Sequence, residues 1–381
     1  MAKKLGDLRP VYVVGIGWHR YQDASDTPYV ALGLASIREA LADAGVAWPE
    51  VESSYVATAL LGMACGRPML RHLGASGGSL LHIENASASG STAFRHACME
   101  VGAGLSDVAL AVGVDKPAKV VRGESQAGIA SLAGRAIVPF THFALLTDAY
   151  MQRHGVGIED IARVAVKNHH NGARNPNAQR QRTRTLDEVL GGRRVSGELT
   201  PLQCCPVGEG AAAVIVASEE GIRCLGIDPG RAVRVLSSAA RSERVYPAGR
   251  GFDAELTRET CAMALEEAGV APGALDIVEL HDAFTVEELH YVEGMGICPE
   301  GQAAHLLREG AFDIGGRVAV NPSGGLIAMG HPIGPTGIGQ IGEIVLQLRG
   351  EAGDRQHAGA RTGLAHMVGV GAVCYAHVLQ A

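Results

Sequence analysis

The sequence predicts an α/β fold made of two duplicated, stacked halves, and three observations predict it. The segment Ala40-Leu-Ala-Asp-Ala-Gly-Val-Ala47 returns as Ala264-Leu-Glu-Glu-Ala-Gly-Val-Ala271. Each copy ends an amphipathic helical pattern and leads into a strand pattern, Ser53 to Leu60 in the first and Leu275 to Leu280 in the second. Each strand then leads to a Gly/Ser-rich segment that opens another helix, at Asn85 to Thr92 and at Asn321 to Gly337. Strands alternating with helices at this spacing build parallel sheets through crossovers. Similarity over eight residues could arise by chance, but the same order of following elements is the mark of a repeat.

Composition agrees. At 381 residues the chain exceeds one ordinary core and calls for two or three units. It is 47% apolar but 4% aromatic, with 51 glycines, which suits many small-residue contacts. A net charge of −7 gives no reason to expect nucleic-acid binding. The start shows no signal-peptide pattern, and no apolar run is long enough to span a bilayer. Eight cysteines, at 65, 98, 204, 205, 224, 261, 298 and 374, show no CxxC pair, and Cys204-Cys205 read as core residues after a turn. The expectation is a reduced, cytoplasmic protein with no metal site.

From Lys116 to Val245 the texture changes. Arg122, Arg174, Arg180, Arg182, Arg184, Arg193 and Arg194 sit among Asn, Gln and Gly with little periodicity. This is either a solvated loop region or a basic cover for the phosphates of a nucleotide-like group, which the guanidinium fork suits.

Four segments carry candidate chemistry. Ile83-Glu-Asn-Ala-Ser87-Ala-Ser-Gly90 reads as a strand end and tight turn before a helix over 93–102. Ser87 there is either an exposed nucleophile beside helix N–H groups or, with Ser89, a helix cap. Glu279-Leu-His281-Asp282-Ala283-Phe284 places a His at a strand end facing the ligand crevice of an open sheet. Asp282 either orients His281 or caps the helix over 285–294. Asn321-Pro-Ser-Gly-Gly-Leu-Ile-Ala-Met-Gly-His331-Pro-Ile-Gly-Pro-Thr-Gly337 holds His331 between Gly and Pro as a fixed base or donor, ahead of a helix. Ala365-His-Met367-Val-Gly369-Val-Gly371 is a glycine turn before the last strand, either an ordinary turn or a source of oxyanion-binding N–H groups.

These segments, in this order, resemble the thiolase superfamily, and most of all the sterol-carrier-protein type and its bacterial relatives. Lys167-Asn-His169 followed by Asn175-Pro176, Leu202-Gln-Cys-Cys-Pro206 with Gly210-Ala-Ala-Ala, Gly296 to Gly301 and Gly350-Glu-Ala-Gly353 extend the resemblance over nearly the whole chain. It implies the thiolase fold, with five layers and an inserted loop domain. The first half would comprise 1–115 and 205–250, the insert 116–204 and the second half 251–381.

It also implies a homodimer or dimer of dimers. The substrate would be an acyl-coenzyme A thioester, with no covalently bound cofactor and bond chemistry at the carbon beside the thioester. In the family a Cys stands at the position of Ser87 and is activated by the His at 331. The His at 281 joins the oxygen site, and the N–H groups of Ser87 and Gly369 form a second oxyanion site, with Asp282 and Asn321 in support. A second Cys acts from the position of Met367 or that of Ala283. All three cysteine positions therefore read Ser87, Ala283 and Met367.

A serine needs a positioned base, and its oxygen ester is a poor acyl relay to coenzyme A. The resemblance implies first an acyltransferase of the acetyl-CoA acetyltransferase or 3-ketoacyl-CoA thiolase type. A retro-aldolase cleaving a β-hydroxyacyl-CoA is the runner-up, and such enzymes often work with a small OB-fold and zinc-ribbon partner. A non-catalytic acyl-CoA or lipid-binding subunit is the third reading.

Overall fold

A computed structural model describes residues 3–117, 139–246, 252–369 and 372–381. Among these residues ten strands form one sheet: β1 (Val11–Gln22), β2 (Ser53–Ala57), β3 (Ser79–Ile83), β4 (Val108–Asp115), β5 (Glu209–Ser218), β6 (Val233–Ser242), β7 (Ile277–Glu279), β8 (Ala319–Val320), β9 (Thr362–Gly369) and β10 (Val373–Gln380). Their order is β3-β2-β4-β5-β1-β6-β10-β9-β7-β8.

Read outward from the centre, the two sides repeat one pattern. β2 lies parallel to β3 and β4, and β5 runs antiparallel to β4 and β1. β7 lies parallel to β8 and β9, and β10 runs antiparallel to β9 and β6. β1 and β6 join the halves through Tyr12–Arg234 and Val13–Val233. The second copy of the strand pattern thus opens at β6.

The repeated octapeptide has a structural cause. Gly45 and Gly269 each follow a helix, Tyr29–Ala44 and Phe252–Ala268, and each has φ of +67°. The next N–H in each copy bonds five residues back, Val46 to Leu41 and Val270 to Leu265, both at 3.0 Å. This left-handed helix stop needs glycine, because a Cβ is strained there.

Layers follow from which strand faces are apolar. In β5, Ala211, Ala213, Ile215 and Ala217 pack outward with the helix Tyr29–Ala44, while Ala212, Val214 and Val216 pack inward. Apolar residues on both faces mark a strand covered on both sides. The inner faces of both halves enclose two helices, Ser89–Gly102 and Thr336–Arg349, through Phe94, Ala97, Ile338, Ile341 and Ile344. The helices Phe252–Ala268 and Thr285–Gly294 cover the far side of the second half. Helix, sheet, paired helices, sheet and helix make five layers.

The two central helices touch at their starts. A Cβ on Gly90 would lie 2.6 Å from the Gly334 carbonyl, and one on Gly337 would lie 2.7 Å from the Ser91 nitrogen. Glycine at both places lets the turn after β3 meet the glycine run after β8. Between the halves the chain forms the helices Pro139–His154, Ile158–Gly172 and Leu186–Leu190, the second of which packs on Gly325–Ala328. Among the described residues no helix is long and apolar enough to cross a membrane.

Candidate active site

Ser87 stands on a turn at the end of the edge strand β3. Ala86 has φ of +49°, a conformation an L-residue adopts at a cost. Ser89 fastens this turn: its Oγ accepts the Asn85 N–H at 2.8 Å and donates to the Ala86 carbonyl at 2.6 Å. The helix begins at Ser89 rather than 93, with Ala88 at the cap position and no side-chain cap bond. The capping reading of Ser87 therefore fails. Its Oγ lies 3.0 Å from Nε2 of His331.

His331 follows Gly330, whose φ of +107° is open to glycine. Its Nδ1 lies 2.9 Å from Thr336 Oγ1, and that hydroxyl donates its one hydrogen to the Pro332 carbonyl at 2.5 Å. Thr336 can then only accept from the ring, so Nδ1 carries the hydrogen and Nε2 presents a lone pair to Ser87. Burial, with His281 nearby, lowers the His331 pKa to about 3, so the ring is neutral near pH 7. Asp115, at the end of β4, holds the segment by accepting the Gly334 N–H at 2.6 Å.

His281 sits just past β7, with its ring centroid 5.6 Å from that of His331 and the planes at 89°. Its Nδ1 lies 3.0 Å from Glu287 Oε1, which also accepts the Tyr291 hydroxyl at 3.0 Å. The other Glu287 oxygen accepts the Phe284 N–H at 2.9 Å, capping the helix Thr285–Gly294. A carboxylate fixes the hydrogen on Nδ1 and leaves Nε2 free to act. Such an imidazole can take a proton, because the carboxylate stabilises the cation formed.

Glu287 therefore fills both roles considered for Asp282. Asp282 instead accepts the Leu326 N–H at 2.6 Å and the Asn168 amide at 2.7 Å, fastening the glycine run to the inserted region. Burial, then Glu288, pushes its carboxyl pKa up. Asn321, at φ of +52°, accepts the Leu280 N–H at 2.8 Å and donates to Glu288 at 3.0 Å. Lys167 completes this buried frame, 3.1 Å from Glu288 and 2.6 Å from the Val320 carbonyl. Sequence reasoning missed Glu287 and Thr336. A glutamate at the third position of the helix after His-Asp-x-Phe was the available signal for Glu287; a hydroxyl one helical turn after Pro332 was the signal for Thr336.

Gly369 ends β9 against the Ser87 turn: a Cβ there would lie 2.7 Å from the Asn85 carbonyl and 3.1 Å from the Ala88 Cβ. Val370 and Gly371 lie outside the described residues. Met367 and Ala283 are buried. The Cys205 N–H donates to the Ala283 carbonyl at 2.8 Å, but burial and Glu287 push its thiol up to about 12, so it offers no thiolate near pH 7. Cys204 is buried, as expected for a core residue.

The arginines separate. Arg180 is structural, donating to the Cys204 and Ile327 carbonyls at 2.9 Å. Arg182 and Arg184 share Glu188, and Arg194 pairs with Glu198. Arg193 is exposed, Arg174 and Arg184 line a cavity, and Arg122 lies outside the described residues.

Comparison with known proteins joins this geometry to a family. Residues 16–184 match the family described as "Thiolase, N-terminal domain", and residues 248–380 match "Thiolase C-terminal domain-like". Sterol carrier protein 2 of Gallus gallus is 36% identical over 391 residues, covering 95% of this chain and 70% of that protein. The benzoylsuccinyl-CoA thiolase subunit BbsB of Thauera aromatica is 34% identical, covering 95% of each. The structure of an Ltp2-ChsH2(DUF35) aldolase superposes with a TM-score of 0.83 over 98% of both chains at 24% identity, a likeness of fold. With its doubled strand pattern, its paired central helices and relatives matched over 95% of its own length, the chain belongs to the thiolase family, whose enzymes work on acyl-CoA thioesters.

Proposed function

We propose that the chain cleaves the carbon–carbon bond of a β-hydroxyacyl-CoA by a retro-aldol reaction. One observation carries the reading: two ordered histidines face one another at a site whose cysteine positions are Ser87, Ala283 and Met367. Retro-aldol cleavage needs a base and an enolate-binding site but no thiolate.

His281 Nε2 takes the proton of the β-hydroxyl, and Glu287 stabilises the imidazolium. The oxygen's electron pair forms the new carbonyl as the Cα–Cβ bond breaks, and the bond's electrons pass to the thioester oxygen as an enolate. The N–H groups of Ser87 and Gly369 hold that oxygen. The hydroxyl of Ser87 is turned to His331, which keeps the turn and its N–H in place. The imidazolium then returns its proton to Cα, leaving a shortened acyl-CoA and an aldehyde or ketone.

The 3.0 Å bond between Ser87 and His331 favours a second reading, acyl transfer through Ser87. Incubation with β-hydroxyacyl-CoA and with 3-ketoacyl-CoA plus coenzyme A, following products by mass, separates the two. Aldehyde or ketone release that persists in Ser87→Ala supports the lyase. An acyl adduct on Ser87, with all turnover lost in Ser87→Ala, supports the transferase. Binding of acyl-CoA with no turnover of either would leave a carrier subunit. The BbsB relative is named as a subunit and the Ltp2 neighbour is paired with a DUF35 protein, which supports testing for a partner chain.

A further inference from the structure

The carboxylate that serves His281 is itself held by a neighbour. Tyr291 stands one helical turn after Glu287, on the same face of the helix Thr285–Gly294. Its hydroxyl donates at 3.0 Å to Glu287 Oε1, the oxygen that also lies 3.0 Å from His281 Nδ1. The second oxygen, Oε2, is taken by the Phe284 N–H at 2.9 Å. Tyr291 is 1% exposed, and its ring packs on that of His366 in β9, with centroids 4.9 Å apart and planes at 65°. With no room to turn to solvent, the phenol keeps its hydrogen on the carboxylate.

Two donors on one carboxylate oxygen compete for its electron density. Each hydrogen bond to an ionised carboxylate stabilises the ion and weakens its pull on a further hydrogen. The other titratable groups around His281 do not replace this charge. Burial keeps His331 of the glycine run and His366 of β9 neutral near pH 7. Burial also pushes up the Asp282 carboxyl and the Cys205 thiol, and Glu288 pairs with Lys167 at 3.1 Å. Among the described residues Glu287 is the charged group in hydrogen-bond contact with the imidazole.

We infer that Tyr291 is a positioning residue for His281: by sharing Glu287 Oε1 it aims the carboxylate at the ring and limits its pull on the Nδ1 hydrogen. That hydrogen then stays on the ring while Nε2 takes and returns the substrate proton. The catalytic consequence rests on the retro-aldol reading, but the hydrogen-bond chain is measurable without substrate.

The test pairs proton NMR of the whole protein with its pH–rate profile on a β-hydroxyacyl-CoA. The His281 Nδ1–H resonance is assigned by its loss in His281→Asn. It is then compared in the wild type, in Tyr291→Phe and with Tyr291 replaced by 3-fluorotyrosine. In Tyr291→Phe the carboxylate pulls harder on the ring hydrogen, so the resonance should move downfield. The acid limb of kcat/KM should move to higher pH by about half a unit or more. Fluorotyrosine keeps the shape and donates more strongly, so both readouts should move the other way, and it preserves the packing if the Phe variant folds poorly. A tyrosine of structural value alone would lower melting temperature with resonance and limb unmoved. That result overturns the inference, as does a wild type with no such resonance. Resonance shifts in the expected directions without turnover of a β-hydroxyacyl-CoA would support the role of Tyr291 and sink the retro-aldol reading.

Discussion

The two site histidines sit 5.6 Å apart between ring centroids, yet their seats differ in one chemical respect. His331 gives its Nδ1 hydrogen to a hydroxyl, and His281 gives its own to a carboxylate. A hydroxyl orients a ring without paying for a charge on it; a carboxylate does both. His331 is therefore suited to orient Ser87, and His281 to carry a proton through a reaction. Similar residues at similar depth are divided in role by their second partner.

The largest test of this division removes the rings. His281→Ala should lower kcat by about 10³–10⁴-fold, and His331→Ala by about 10²-fold or more, with the fold intact by circular dichroism. Full activity in either variant would overturn the site assignment.

Glu287→Gln keeps the shape of the His281 seat but removes its charge. It should cost about 10²-fold in kcat with KM little changed, because the amide cannot stabilise an imidazolium. A change in KM alone would mean that Glu287 is a scaffold residue.

Thr336→Val removes the acceptor for His331 and leaves a buried N–H unpaired. We expect a loss of about 1–3 kcal/mol of stability and a smaller fall in rate than for Glu287→Gln. A larger fall would reverse the ranking of the two seats.

The smallest effect concerns pH. Burial lowers His331 and His377 to about 3 and His169 to about 4, while the unfolded chain protonates its histidines near pH 6.5. The unfolded state thus binds more protons between these values. Stability is held above pH 6.5 and falls as pH drops, by about 1.4 kcal/mol per pH unit for each histidine. Asp115 and Glu279, raised by burial, act with the opposite sign and blunt the slope. His331→Asn should make melting temperature less steep in pH by about one proton; an unchanged slope would show that the ring is not held neutral.

Much of the frame was legible because its signals are local. Gly45 and Gly269 mark two helix stops by residue type alone, and the order of elements after them exposed the repeat. The glycines around His331 and Ser87 announced close backbone approach. What was not legible depended on contacts across the fold. Ser87 read equally as a nucleophile or a cap, and the two are separated only by its hydroxyl facing a ring 244 positions away. Asp282, next to His281 in sequence, points to Leu326 and Asn168, while Glu287, six positions on, returns to the ring across a helix start.

The sequence by itself determined the duplicated α/β architecture, the family and the residue types at the site, because periodicity, helix stops and glycine turns are written in neighbouring residues. Only the tertiary structure decided which partner each histidine has, and so which ring is kept neutral and which can be charged. Hydrogen bonds of 3 Å between distant segments are set by packing, here by two helix starts that touch where Gly90 and Gly337 leave no side chain between them.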